Sequence, residues 1–86
     1  MPVVSRFFGI AIAFYWADHL PPHFHAKYTG DEAMIAIRTG EVLRGSLPRR
    51  ALALVDEWRK LHETELMENW DRARRRAPLS YITPLE

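Results

Sequence analysis

His23-Phe24-His25-Ala26-Lys27-Tyr28, then Thr29-Gly30-Asp31, then Glu32-Ala33-Met34-Ile35-Ala36-Ile37-Arg38, is the stretch that decides the fold. Each flank has period 2, the spacing of a strand whose two faces meet different surroundings. On the first flank Phe24, Ala26 and Tyr28 point one way and His23, His25 and Lys27 the other. On the second, Ala33, Ile35 and Ile37 share a face. Thr29-Gly30-Asp31 is a hairpin signal, so the runs from His23 to Thr29 and from Glu32 to Arg38 are expected to pair antiparallel.

Working outward, Ile10, Ile12, Phe14 and Trp16 alternate with Ala11, Ala13 and Tyr15, an earlier strand with its bulkier residues on one face. Asp18 to Pro22 interrupts it, because neither Pro21 nor Pro22 can donate to a central ladder. Downstream, Thr39-Gly40 makes a second tight turn into a short strand, Glu41 to Gly45. Pro2 to Arg6 is a candidate fifth strand at the edge. Loops this short make successive strands antiparallel neighbours, an antiparallel four-stranded β-meander with room for a fifth, N-terminal strand.

After Gly45 the period changes. Ser46 is a candidate cap and Pro48 sits near a first helical position. Leu52, Val55, Trp58, Leu61, Leu66, Trp70 and Ala73 then follow helical spacing. One helix from Pro48 to Arg76 is long for a chain of 86 residues. A break near Arg59-Lys60 with Thr64 capping a second helix, or one kinked helix, both fit. Pro78 ends the helical part, and Leu79, Tyr81, Ile82 and Leu85 of the tail are expected to pack back. The expected class is therefore α+β in one domain, residues 1–86. It divides into a sheet part at about 2–47, helices over 48–76 packed on one sheet face, and a tail from 77 to 86. The face carrying Phe24, Tyr28, Ile35 and Ile37 is the one to be covered, which leaves the histidine face looking outward.

Composition narrows the function classes. A chain of this size buries about 60–65% of the surface its unfolded form exposes. With no cysteine it has no disulfides, no thiolate metal ligands and no thiol nucleophile. Twelve basic against eleven acidic residues, a net charge of +1, argue against a general polyanion binder. The arginines at 72 and 74–76 support nucleic-acid contact only weakly, because cations at a helix C-terminus complement its dipole. No apolar run reaches the roughly 20 residues of a membrane span. Arg6 and the apolar run after it have the flavour of a leader peptide, but no small-x-small cleavage site follows. A soluble cytoplasmic protein is expected.

Three of the four histidines lie in Asp18-His19-Leu20-Pro21-Pro22-His23-Phe24-His25. Residues two apart on a strand point the same way with Cα atoms about 6.6 Å apart, so His23 and His25 can converge on one ion or one oxygen. Across the stiff Pro-Pro loop, His19 and Asp18 can fold over the same point. His19, His23 and His25 are thus candidate metal ligands, and a divalent transition metal such as zinc, nickel, iron or manganese suits imidazoles with one carboxylate. Without metal, His23 and His25 are candidate acid–base groups and Asp18 fixes a tautomer. Arg6 and Lys27, with Asp18, are candidate binding residues. His-x-His on a strand face is also how ordinary half-buried polar residues look, with Asp18 satisfying turn amides. His62-Glu63-Thr64-Glu65-Leu66 lacks the second histidine of a zincin helix.

Pro2-x-x-Ser5-Arg6-Phe7-Phe8-Gly9 and Asp18-His19-x-Pro21-Pro22-His23-Phe24-His25-Ala26 resemble a family of short bacterial and archaeal proteins classed only as a domain of unknown function. Gly40-Glu41-Val42-Leu43-x-Gly45-x-Leu47-Pro48, Glu57-Trp58 and Glu68-Asn69-Trp70 fit it too. The resemblance therefore spans essentially the whole chain, and Pro-Pro-His-Phe-His is its most specific block. It implies a small operon-neighbour protein as partner, since such proteins are often encoded in pairs suspected of forming toxin–antitoxin-like modules. Two functional expectations follow. The first is a partner-binding component of such a module, with a second copy of the chain also open as a partner. The alternative is a small histidine-dependent, metal-assisted hydrolase or nuclease using His19, His23 and His25, with Arg6 steadying the anion. Composition and spacing do not decide whether the chain is an enzyme.

Overall fold

A computed structural model describes residues 2–86. Five strands come first: β1 (Val3–Phe7), β2 (Ile10–Ala13), β3 (His23–Tyr28), β4 (Asp31–Ala36) and β5 (Val42–Gly45). Two helices follow, α1 (Arg49–Leu61) and α2 (Glu63–Arg74). The strands form one antiparallel meander in chain order, β1-β2-β3-β4-β5. The N-terminal run is thus a full member of the sheet. It is joined to β2 by Phe8-Gly9, both at positive φ (50° and 79°), the conformation that matches a two-residue hairpin to strand twist.

β3 is the central strand and divides two environments. Phe24 and Ala26 are fully buried on the face that meets the helices, together with Ile10, Ile12, Phe14, Ile35 and Ile37. Trp58 of α1 lies against Phe7 and Phe24 with ring centroids 5.3 and 6.1 Å apart. Val55, Leu66, Trp70 and Ala73 extend the same cluster along both helices. This is the expected α+β arrangement, with Tyr28 packed at its margin.

The helical half breaks at His62, three residues beyond Arg59-Lys60 expected from the charges. His62 has φ −127° and ψ 26°, so it closes α1 and opens α2, and Thr64 lies inside α2 rather than capping it. Its ring stays on Trp58, with centroids 5.5 Å apart. Ser46 caps nothing either: Pro48 is the residue before α1, and no side chain caps that end. The tail does return. Ile82 is fully buried and its N–H donates to Val4 O, Trp58 Nε1–H donates to Thr83 O, and Asn69 bonds the Ser80 backbone through both its amide nitrogen and oxygen. Tyr81, expected to pack, is 65% exposed because it alternates outward from Ile82.

Two further boundaries differ. β2 stops at Ala13, and Trp16 leaves the apolar face to be 42% exposed. Ala17 takes positive φ (53°) and donates its N–H to Ala73 O, which turns the chain off the sheet and onto α2. The histidine face is not simply open, because Trp70 covers one end of it.

Arg59 ties α1 to the β4–β5 turn. Its Nη1 donates to Ile37 O and Arg38 O at 3.0 and 3.3 Å, while Nε and Nη2 donate to Asp56 Oδ1 at 3.0 and 2.9 Å. Gly40, at φ +79°, is packed under this pair; a Cβ there would lie 2.6 Å from Asp56 Oδ1 and 2.8 Å from Arg59 Nε. Burial pushes the Asp56 carboxyl up, but Arg59 and Lys60 outweigh it and hold the carboxyl below its ordinary value. A group depressed on folding stabilises the fold above its unfolded pKa, and that contribution is lost as pH falls through the lower folded value. Asp56→Asn is therefore expected to lower the urea midpoint at pH 7, with the difference from wild type closing as pH falls below about 3.9. A gap unchanged down to pH 2 rules the pair out as its source. Gly40→Ala is expected to cost about 1 kcal/mol or more at neutral pH, read from the same urea curves.

Candidate functional site

The site is built on the face of β3 opposite Phe24. Strand register places Ala13, His25, Met34 and Arg44 in one row across β2–β5, and Arg6, Ala11, Lys27 and Glu32 in the next row across β1–β4. His23 and His25 are consecutive members of that face. The β2–β3 connection, residues 14–22, carries Tyr15 and Asp18 back over it. The connection is pinned by Ala17 N–H to Ala73 O and by Ile37 N–H to Pro22 O, and its Leu20-Pro21 bond is cis.

Asp18 is the meeting point. Its Oδ1 accepts the His19 N–H at 2.9 Å. Its Oδ2 is shared by two rings, 2.9 Å from His23 Nε2 and 3.2 Å from His25 Nε2. The remaining ring nitrogens are also engaged. His23 Nδ1–H donates to Pro21 O at 2.7 Å, and His25 Nδ1 lies 3.1 Å from Glu32 Oε2. Tyr15 O–H donates to the same Glu32 oxygen at 3.3 Å, and its ring meets His25 edge-on at 4.2 Å. Burial pushes the Asp18 carboxyl up, yet the His19 N–H and the His25 and His23 rings together hold it below its ordinary value. It is an anion held by donors, as a ligand or an orienting group must be.

The two histidines do different work. The His23 side chain has no solvent exposure and lies beneath Trp70 of α2, with ring centroids 5.1 Å apart and planes tilted by 52°. His25 is slightly exposed and lines an open cleft of about 330 Å³ with Tyr15, Asp18, His19, Glu32 and Arg44 among its walls. Among the described residues, Asp18, His23 and His25 could hold a metal ion, one donor atom from each lying within 4.8 Å of the others. His19 stands at the rim instead. Its side chain is 69% exposed, Nδ1 is turned to its neighbour Leu20 O, and Nε2 is 3.8 Å from Asp18 Oδ1.

Arg6 and Lys27 lie on the same sheet face but outside the cleft lining, Arg6 on β1 and Lys27 beside Glu32 in register. The guanidinium that lines the cleft belongs to Arg44. Among the described residues Arg44 has no ion-pair partner within 4.0 Å. Tyr15, Glu32 and Arg44 carry no site signal in the sequence, and Trp70 reads there as core. Glu32 was within reach: pairing Tyr28 with Asp31 sets Lys27 against Glu32 and makes Glu32 a diagonal neighbour of His25. Arg44 had no such signal, because a bulge between Met34 and Ile35 sets its register.

No helix among the described residues is long and apolar enough to cross a membrane. Compared with known proteins, residues 9–71 match a family model described as Domain of unknown function (DUF4160). No curated protein and no solved structure shows significant similarity.

Trp70 both fills the core and roofs His23. Trp70→Ala is expected to lower stability by about 3–5 kcal/mol in chemical denaturation. In the remaining folded fraction the His23 ring resonances should move toward solvent-exposed shifts while those of His62 stay in place; unmoved His23 signals would mean that the indole does not cover it.

Proposed function

The chain belongs to the family Domain of unknown function (DUF4160), and we propose that it is a small histidine-dependent hydrolase of anionic esters, acting as one half of a two-gene, toxin–antitoxin-like module. The observation that carries this reading is the convergence of His23, His25 and Asp18 on one point at the wall of an open cleft. The cleft suits a small anionic group. Arg44 offers a planar, forked cation whose donors match the oxygens of a phosphoryl group. Asp18 and Glu32 are the opposing charges in the lining, and His25 and the Tyr15 hydroxyl both engage Glu32 Oε2.

In this reading the Asp18–His23–His25 centre takes up a proton from a water, whose oxygen attacks the ester phosphorus while Arg44 stabilises the charge gathering on the phosphoryl oxygens. The bond to the leaving oxygen breaks, and His19, exposed at the rim, is positioned to return a proton to it. A phosphodiester is the substrate class, which fits a toxin that acts on nucleic acid without a strongly basic surface.

Exposed apolar side chains favour a second reading, that of a non-catalytic partner-binding component. Trp16 and Leu20 are 42% and 61% exposed on the same connection that carries Asp18. Such a rim suits a partner protein that closes over the site.

Wild-type protein is expected to hydrolyse bis(p-nitrophenyl) phosphate and to inhibit growth when expressed alone. Arg44→Gln should lower kcat about tenfold or more, in line with loss of a charged hydrogen bond to the transition state, with a smaller change in KM. His23→Ala/His25→Ala should abolish both activities. If that double variant still inhibits growth fully, the hydrolase reading fails. Growth inhibition that instead disappears in Trp16→Ser/Leu20→Ser, with hydrolysis absent throughout, selects the partner-binding reading.

A further inference from the structure

We infer that Asp18, His23 and His25 form a two-histidine, one-carboxylate site for a divalent first-row transition ion, with Pro21 O and Glu32 orienting the two rings from behind. The inference rests on the hydrolytic reading above only for its use; the site itself is argued from hydrogen-bond accounting. A neutral imidazole has one N–H and one bare nitrogen. All four ring nitrogens of His23 and His25 face oxygen acceptors: Pro21 O, Glu32 Oε2, and Asp18 Oδ2 twice. A backbone carbonyl can only accept, so His23 Nδ1 carries a hydrogen. If that ring is neutral, its Nε2 lone pair points at a carboxylate oxygen 2.9 Å away.

With both carboxylates acting only as acceptors, two arrangements resolve this. In one, both rings are doubly protonated, which puts two cations with centroids 5.2 Å apart, one of them without solvent exposure. That costs both mutual repulsion and desolvation. In the other, one divalent cation replaces the two Nε2 protons. The charge is the same, balanced in either case by the Asp18 and Glu32 carboxylates, but each nitrogen now meets what it needs. Nε2 of each ring becomes a ligand with Asp18 as the oxygen donor. Each Nδ1–H donates to a carbonyl or a carboxylate, the arrangement that fixes the tautomer of metal-ligating histidines.

The spacings agree. Ligands held at about 2.0–2.1 Å from one ion lie roughly 3 Å or a little more from each other, and Asp18 Oδ2 is 2.9 and 3.2 Å from the two Nε2 atoms. His25 and Asp18 both line the cleft, so the remaining coordination positions open toward it. An ion there supplies Lewis acidity for water activation. His19 is outside the donor set, its exposed ring being bonded to Leu20 O.

The test uses untagged full-length protein, stripped with chelator and titrated with zinc and cobalt(II) by calorimetry and visible absorption. Wild type should bind one equivalent of each and show cobalt d–d bands with histidine nitrogen ligation. Asp18→Asn and His25→Ala should lose binding by a hundredfold or more. Glu32→Gln, which removes a charged acceptor but no ligand, should weaken it by about tenfold to a hundredfold. His19→Ala should bind as wild type, and circular dichroism should show each variant folded. Absence of stoichiometric binding by the folded wild type overturns the site, as does affinity unchanged in both Asp18→Asn and His25→Ala. Loss of binding in His19→Ala overturns the assigned donor set. The two proposals separate cleanly. Metal binding without hydrolysis removes the hydrolase reading alone, whereas hydrolysis by a folded protein that binds no metal removes the metal centre alone.

Discussion

Alternation along β3 is the constraint on which the rest of the molecule depends. Six residues, His23–Tyr28, must serve two unlike environments, and only a strand separates them residue by residue. Phe24 and Ala26 enter the core under Trp58, and His23 and His25 enter a polar cluster under Asp18. A slip of one residue in register would exchange the sets, putting two imidazoles against Trp58 and Phe24 against a carboxylate. Both faces therefore penalise the slip, so the core and the polar cluster define the same register. The hairpin turn from β3 into β4, and the pairing of β2 and β4 with β3, follow from that register.

The cluster could not be held by the sheet alone. Asp18 belongs to a connection that has left the sheet, and its position is set by what that connection touches: Ala73 O of α2 through Ala17, and Ile37 through Pro22. Trp70 then roofs His23 from the same helix. The site is thus assembled from a strand face, a loop and a helix that meet only in the complete fold. The buried polar groups carry a desolvation cost that each offsets for the other, so removing one member leaves the rest worse off than its own bond suggests.

Much of this was legible in the sequence, for reasons that are local. Period-2 runs, Thr29-Gly30 and Thr39-Gly40 mark the meander, and the His-x-His face with Asp18 folded over it follows from strand geometry and a stiff Pro-Pro loop. Other features depend on contacts between distant residues. The pattern Ile10 to Trp16 reads as one strand, yet the hydrogen bond from Ala17 to Ala73 ends it at Ala13. Charges near Arg59-Lys60 suggest a helix end, but Arg59 is instead buried against Ile37 O and Asp56, so α1 runs on to Leu61. Tyr81 and Ile82 look equally apolar in sequence. Which of them turns inward is decided by the hydrogen bond of Ile82 to Val4 O.

The difference between His19 and Asp18 shows how far composition carries a site. Three imidazoles close in sequence suggest three equivalent ligands. Yet His19 precedes the turn through Leu20-Pro21-Pro22, and its ring is held at the rim by Leu20 O, whereas the short Asp18 side chain reaches both buried rings. A carboxylate has two oxygens and can serve a backbone donor with one while the other faces two nitrogens; an imidazole at that position could not do both. Hydrogen-bonding capacity, not proximity in sequence or affinity for metals, thus selects the acid for the centre and leaves the third histidine facing the cleft.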